Sequence, residues 1–134
     1  MNIRGVTPYL IVDGGAEAIG WYRDVFDAEE VARMTGGAGR IAHAELRIGV
    51  ASIFLGDEHP HLEGILAPAG IGGTPVYLDL ETDDVTGCFD RAVAAGAEVI
   101  RVPTDPSLPV QSAKVRDPFG HVWLITRSGG SEAP

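Results

Sequence analysis

The sequence contains one cysteine, Cys88, which excludes an internal disulfide and any paired-cysteine zinc or redox site. Positive charge is scarce: 10 lysines and arginines face 19 aspartates and glutamates, for a formal charge of −9. That sign opposes phosphate, so neither nucleic acid nor an anionic membrane surface is an expected partner. No stretch approaches the roughly 18 apolar residues of a membrane-spanning helix. The opening MNIRGVTPYLIVDGG has too short an apolar run for a signal peptide and no cleavage pattern. A soluble cytoplasmic protein is expected. The GxSxG, Walker and dinucleotide fingerprints are also missing. Neither glycine run, 36–39 or 70–73, leads into a helix that could cradle phosphate.

What is present is an ordinary globular composition, 45% hydrophobic and 22% charged, in 134 residues. A chain near the typical domain length of about 150 residues makes one domain with a core of its own. The expectation is a single domain over 1–128, with modules at about 6–56 and 75–127 and a flexible polar tail at 129–134.

The modules follow from an internal repeat. Sliding the chain by 68 positions lays Tyr9–Arg33 on Tyr77–Arg101 without gaps, and the identities include Tyr9/Tyr77, Leu10/Leu78, Arg23/Arg91, Glu30/Glu98 and Arg33/Arg101. Each half reads strand, helix and three strands. In the first, strands are predicted over Val6–Val12, Glu29–Met34, Arg40–Ile48 and Ala51–Leu55, with a helix over Ala16–Phe26. In the second, strands are predicted over Val76–Glu81, Glu98–Val102, Gln111–Arg116 and His121–Thr126. A helix over Val85–Ala95 is expected to be capped by Thr82 or Asp83 and stopped at a left-handed Gly96. Residues 56–74, rich in Gly, Pro and His, read as a connecting loop.

Strand residues alternate between faces, which divides each strand into two sets. Val76, Leu78 and Leu80 are aliphatic, as are Leu10 with Val12 and Ala44 with Leu46 and Ile48; these must pack against the helices. The opposite face carries Thr7, Tyr9, His43, Glu45, Arg47, Tyr77 and Asp79. It is either a solvated sheet face or, on a curled sheet, the lining of a polar and aromatic pocket for a small molecule. The tyrosines favour the pocket.

The segments TPYLIV, AIGWYRDVFDAEEV, AHAELRIG, PVYLDLETDD, CFDRAVAAGAEV and VRDPFGHVWLIT together resemble the vicinal oxygen chelate superfamily. Glyoxalases, extradiol dioxygenases, fosfomycin-resistance enzymes and bleomycin-resistance proteins make up that group. The resemblance spans Val6 to Thr126. It implies an α+β fold of two βαβββ modules forming a U-shaped, mostly antiparallel sheet around a cavity, with helices outside. It also implies a homodimer. In its metal-dependent members, two ligands come from each module. Carried over, those positions fall on Thr7 (or Tyr9 by the repeat), Glu45, Tyr77 and Leu124. Only Glu45 has a ligand's chemistry, so no metal site and no cofactor are expected.

Other residues offer little to rebuild a metal site. His43 and Glu45 share a face two residues apart, but a firm site wants three donors; a hydrogen-bonded His–Glu pair is the simpler expectation. His59 and His61 read as part of a solvated acidic loop, and Cys88 as a buried, inert thiol. Three functions remain. The first is metal-independent binding or sequestration of a small, partly aromatic, neutral or cationic molecule, as in antibiotic resistance of the bleomycin type. Ligand contacts would come from Thr7, Tyr9, His43, Glu45, Arg47, Tyr77, Asp79 and Leu124. The second is a lyase, isomerase or dioxygenase using Glu45 and His43, with or without a divalent metal. The third is an interaction module with no small ligand. The missing ligand set favours the first.

Overall fold

Strand β1 covers Tyr9–Val12 and starts later than the expected Val6. Pro8 has no N–H to contribute to a ladder; its carbonyl accepts the Phe54 N–H at 2.9 Å. Thr7 therefore lies ahead of the strand and is exposed. The computed structural model describes residues 1–62 and 64–128. The expected tail at 129–134 lies outside the described residues.

After β1 come helix α1 at Gly15–Phe26 and strands β2 at Glu29–Thr35, β3 at Ile41–Ile48 and β4 at Ala51–Asp57. A short helix α2 follows at Pro68–Ile71. Strands β5 at Tyr77–Glu81, β6 at Glu98–Arg101, β7 at Gln111–Arg116 and β8 at Val122–Arg127 make the second set, with helix α3 at Val85–Ala94 after β5. The chain divides into two units between Ile71 and Gly72. Their sheets have the same order, β1-β4-β3-β2 and β5-β8-β7-β6. In each, the first pair is parallel and the other two are antiparallel. The fold is α+β with two βαβββ modules, each a four-stranded mixed sheet.

Alternation sets the core of each unit. In the first, Leu10 and Val12 of β1, Ala44 and Leu46 of β3 and Leu55 of β4 are buried with Ile19, Tyr22, Val25 and Phe26 of α1. A fully buried residue such as Leu46 stabilises by about 1.5–3 kcal/mol relative to exposure. In the second, Val85, Phe89 and Ala92 of α3 are buried with Ala113, Val115, Trp123 and Ile125. Leu78 and Leu80 of β5 are only half-buried. Cys88 sits on the flank of the α3 stripe and is half-buried rather than buried as expected. Strands β2 and β6 are exposed along their whole length.

Two helix starts differ from the sequence expectation. The N-cap of α3 is Asp84, whose carboxylate accepts the Gly87 N–H at 2.9 Å. Thr82 instead uses its hydroxyl to accept the Asp84 N–H, so it braces the turn rather than the helix. Helix α1 begins after Gly14, which is left-handed at φ 103° and has no capping side chain. Its cap comes from 43 residues away: Asp57 Oδ1 accepts the Gly14 and Gly15 N–H groups, each at 2.8 Å. Asp57 Oδ2 accepts the Ile41 N–H at 2.7 Å, and Arg40 lies 3.5 Å from Oδ1. Gly15 must be glycine, because a Cβ there would fall 2.8 Å from Ile41. The reach of β4 to Asp57 shortens the expected connecting loop, which also contains α2 and a His59–Ile65 bridge. Gly96 is left-handed, as expected.

Candidate functional site

The face of the first sheet turned away from the buried core carries an aromatic cluster. Tyr9 Oη lies 2.8 Å from His43 Nδ1. Phe54 completes the group, its ring 5.8 Å from that of Tyr9 and 5.0 Å from that of His43. Tyr9 and Phe54 are register partners across β1 and β4, and Glu45 and Phe54 are partners across β3 and β4. Alternation thus brings Tyr9, Phe54 and Glu45 side by side, with His43 two residues along β3.

A gap in β4 lets Tyr9 reach His43. The tyrosine ring passes over Gly56, where a Cβ would stand 3.3 Å from the hydroxyl and 3.0 Å from the Ala42 carbonyl. A side chain at this position would press on Tyr9 and on the Ala42 carbonyl, each of which would have to give by a few tenths of an ångström. Burial raises the Tyr9 pKa above the ordinary phenol value, so the hydroxyl keeps its proton at neutral pH. His43 thus pairs with Tyr9 and not, as expected from the sequence, with Glu45. The Glu45 carboxylate is half-buried and makes no hydrogen bond or ion pair among the described residues. Arg47 contacts Glu29 at 3.3 Å across β2 and β3.

The second sheet has a different face. Tyr77 is exposed, and the Lys114 ammonium stands 4.3 Å from its ring centroid. Lys114 is the only lysine of the chain. Asp79 accepts the Thr126 hydroxyl at 2.7 Å, and Arg116 pairs with Glu98 at 2.9 Å. Leu124 is half-buried, in register with Asp79 on one side and Lys114 on the other.

The sheets therefore group Tyr9, His43 and Glu45 in the first unit and Tyr77, Asp79 and Leu124 in the second. They leave Thr7 outside and engage Arg47 elsewhere. Phe54, Gly56 and Lys114 were missed by the sequence reading. The alternation of Ser52 with Phe54 and of Ser112 with Lys114 and Arg116 carries the signal for them.

Leu124 is paired with Asp79, and the residue in the same register of the first unit, paired with Ile11, is Gly56. Among Thr7, Tyr9, Glu45, Tyr77 and Leu124, the positions the resemblance carries over, and Gly56, only Glu45 offers a carboxylate, imidazole or thiolate, and a single such donor does not fit a divalent metal ion. Among the described residues, no three His, Cys, Asp or Glu side chains are grouped to hold a metal.

His59 and His61 lie on an exposed turn after β4, in the acidic loop expected from the sequence. With Asp13, Arg40, Glu58, Pro60 and Leu62 they line an open cleft of about 430 Å³ in the first unit. No described helix is long and apolar enough to cross a membrane.

Comparison with known proteins joins these observations. An uncharacterized protein of Mycobacterium bovis is 40% identical over 122 residues, which is 90% of this chain and 80% of that protein. TioX from Micromonospora sp. ML1 superposes with a TM-score of 0.69 at 26% identity, covering 98% of this chain and 99% of that one. The fosfomycin resistance protein FosX from Mesorhizobium loti shares the fold at a TM-score of 0.68 and 16% identity, over 98% of this chain and 95% of its own. Residues 5–125 match the model of the Glyoxalase/Bleomycin resistance protein/Dioxygenase superfamily. With its paired βαβββ modules and a match over nearly its whole length, the chain belongs to that superfamily.

Proposed function

We propose that the protein binds and sequesters a small molecule without a metal ion, in the manner of the bleomycin-resistance branch of the superfamily. The observation that carries this reading is the Tyr9–His43–Phe54 cluster beside Glu45 on an open sheet face. Flat rings with a polar edge suit an aromatic ligand, and each such contact contributes about 0.5–1.5 kcal/mol beyond burial. A single ligating side chain at the family's metal positions supports binding over metal chemistry. We also propose a homodimer, supported by the uncovered strands β2 and β6, which expose Val31, Met34, Val99 and Ile100.

A thermal-shift screen of aromatic antibiotics and small metabolites, run with and without EDTA, tests the binding reading. The expected result is a stabilising compound whose effect does not depend on EDTA. Near-stoichiometric metal retained after dialysis overturns the metal-independent part. The hydrogen bond between Tyr9 and His43 favours a second reading, a lyase or isomerase in which His43 moves a proton while Tyr9 holds its ring.

A further inference from the structure

We propose that the ligand is an organic cation, an amidinium or ammonium carried on an aromatic ring, held by the Glu45 carboxylate against the rings of Tyr9 and Phe54. The inference rests on the binding function proposed above and names the class of molecule bound.

The second module itself makes the interaction that the first leaves open. Register defines the equivalent residues: Tyr9 pairs with Phe54 and Phe54 with Glu45, while Tyr77 pairs with Val122 and Val122 with Arg116. Glu45 thus stands where the second module has Arg116, and His43, two residues before it, stands where the second has Lys114. In the second module the protein's own ammonium covers the tyrosine ring at 4.3 Å, an attraction between a cation and the negative face of the ring. At the equivalent place in the first module, His43 instead contacts the tyrosine hydroxyl, and its Nε2 has no partner among the described residues.

The charge balance points the same way. Arg47, the cation on this face of β3, is engaged by Glu29. Glu45 makes no ion pair among the described residues and stands half-buried in register with Phe54. A phenyl-borne cation would satisfy both features at once, its charge on Glu45 and its ring on the aromatic cluster. An anion would meet repulsion, and a neutral analogue would gain the ring contacts alone.

Benzamidine, benzamide and benzoate test this, because they share one shape and differ in charge. Each is titrated against the whole protein by calorimetry, with the proton signals of Tyr9, His43 and Phe54 followed in parallel. Benzamidine should bind about fivefold or more tightly than benzamide, and benzoate least. Glu45→Gln should remove that advantage, and far-ultraviolet circular dichroism with thermal unfolding checks that the variant is folded. Equal binding of benzamidine and benzamide by the wild type overturns the cation assignment and leaves the binding function standing. So does an advantage that persists in Glu45→Gln. Absence of any shift at the three aromatic residues with all three probes overturns both.

Discussion

Tyr9 and Tyr77 occupy the same place in two sheets of identical strand order, yet one is hydrogen-bonded to an imidazole and the other lies under an ammonium. The difference is confined to one side of each sheet. On the helix side both modules are apolar: Leu10, Ala44, Leu46 and Leu55 in the first, Ala113, Val115, Trp123 and Ile125 in the second. That side must stay close-packed, because each lost methylene costs stability. The open side has no such duty, and there the two modules differ, with His43 and Glu45 in one and Lys114 and Arg116 in the other. Binding chemistry has room to differ where packing does not constrain it.

The modules also fasten their turns differently, and the largest expected effect comes from there. Asp57 satisfies three backbone N–H groups of the first unit. In the second, Asp117 accepts the Phe119 and His121 N–H groups and the Trp123 indole at 2.9 Å. Asn at position 57 would keep one oxygen for α1 but turn an NH₂ group toward the Ile41 N–H. Asp57→Asn should therefore lower unfolding free energy by about 3 kcal/mol at neutral pH in denaturant titrations. Burial pushes the Asp57 pKa up, but the Ile41, Gly14 and Gly15 N–H groups and Arg40 together outweigh it, leaving a net lowered pKa. Stability from this carboxylate is then complete above its unfolded pKa, about 4, and is lost as pH falls through the lower folded value. The gap between wild type and Asp57→Asn should accordingly narrow on going from neutral pH into acid. A gap independent of pH would show that the charge contributes nothing.

Inverting the second face sharpens the comparison next. Removing the cation with Lys114→Ala and installing a carboxylate with Arg116→Glu should give the second module the features of the first. Calorimetry should then find a second benzamidine site, weaker than the first by about tenfold, since no imidazole or Phe54 equivalent is present. Unchanged stoichiometry would mean that charge and a tyrosine ring are not sufficient.

Gly56→Ala acts on the first face alone. The added Cβ would stand 3.3 Å from the Tyr9 hydroxyl and 3.0 Å from the Ala42 carbonyl, so one of them must give by a few tenths of an ångström. Where Tyr9 is the group that yields, it loses part of the burial that raises its pKa. Its phenol titration, followed by ultraviolet absorbance or NMR, should fall toward the ordinary value near about 10. The smallest effect is expected at the cleft: His59→Ala and His61→Ala should leave benzamidine affinity within about twofold, because neither residue belongs to the Tyr9 cluster.

Much of the fold was legible in the chain because it depends on local periodicity. Alternation in β1, β3 and β5 marked the helix side, and helical spacing from Ile19 to Phe26 marked α1. The 68-residue repeat predicted two copies of one supersecondary unit, and the identical strand orders have that form. The strand beginning at Tyr9, the cap at Asp84 and the half-exposure of Cys88 depend on neighbours that composition does not name.

The candidate site was legible only in part, for a reason visible in the register. From Tyr9 to Tyr77 and from Phe54 to Val122 the repeat keeps its offset of 68, but Ala44 to Val115 is 71. Three positions gained before β7 are lost again in the β7–β8 turn, so an ungapped comparison sets Glu45 against Ala113 and conceals its correspondence to Arg116. The sequence by itself determined the two modules, their helix-facing cores and a polar, aromatic opposite face, because strand and helix periods act between near neighbours. Only the tertiary structure decided that His43 meets Tyr9 rather than Glu45, that Tyr9 lies over Gly56, and that Asp57 caps a helix begun 42 residues earlier. Those contacts depend on which strands pair and in what register, and that is set by the packing of the whole sheet.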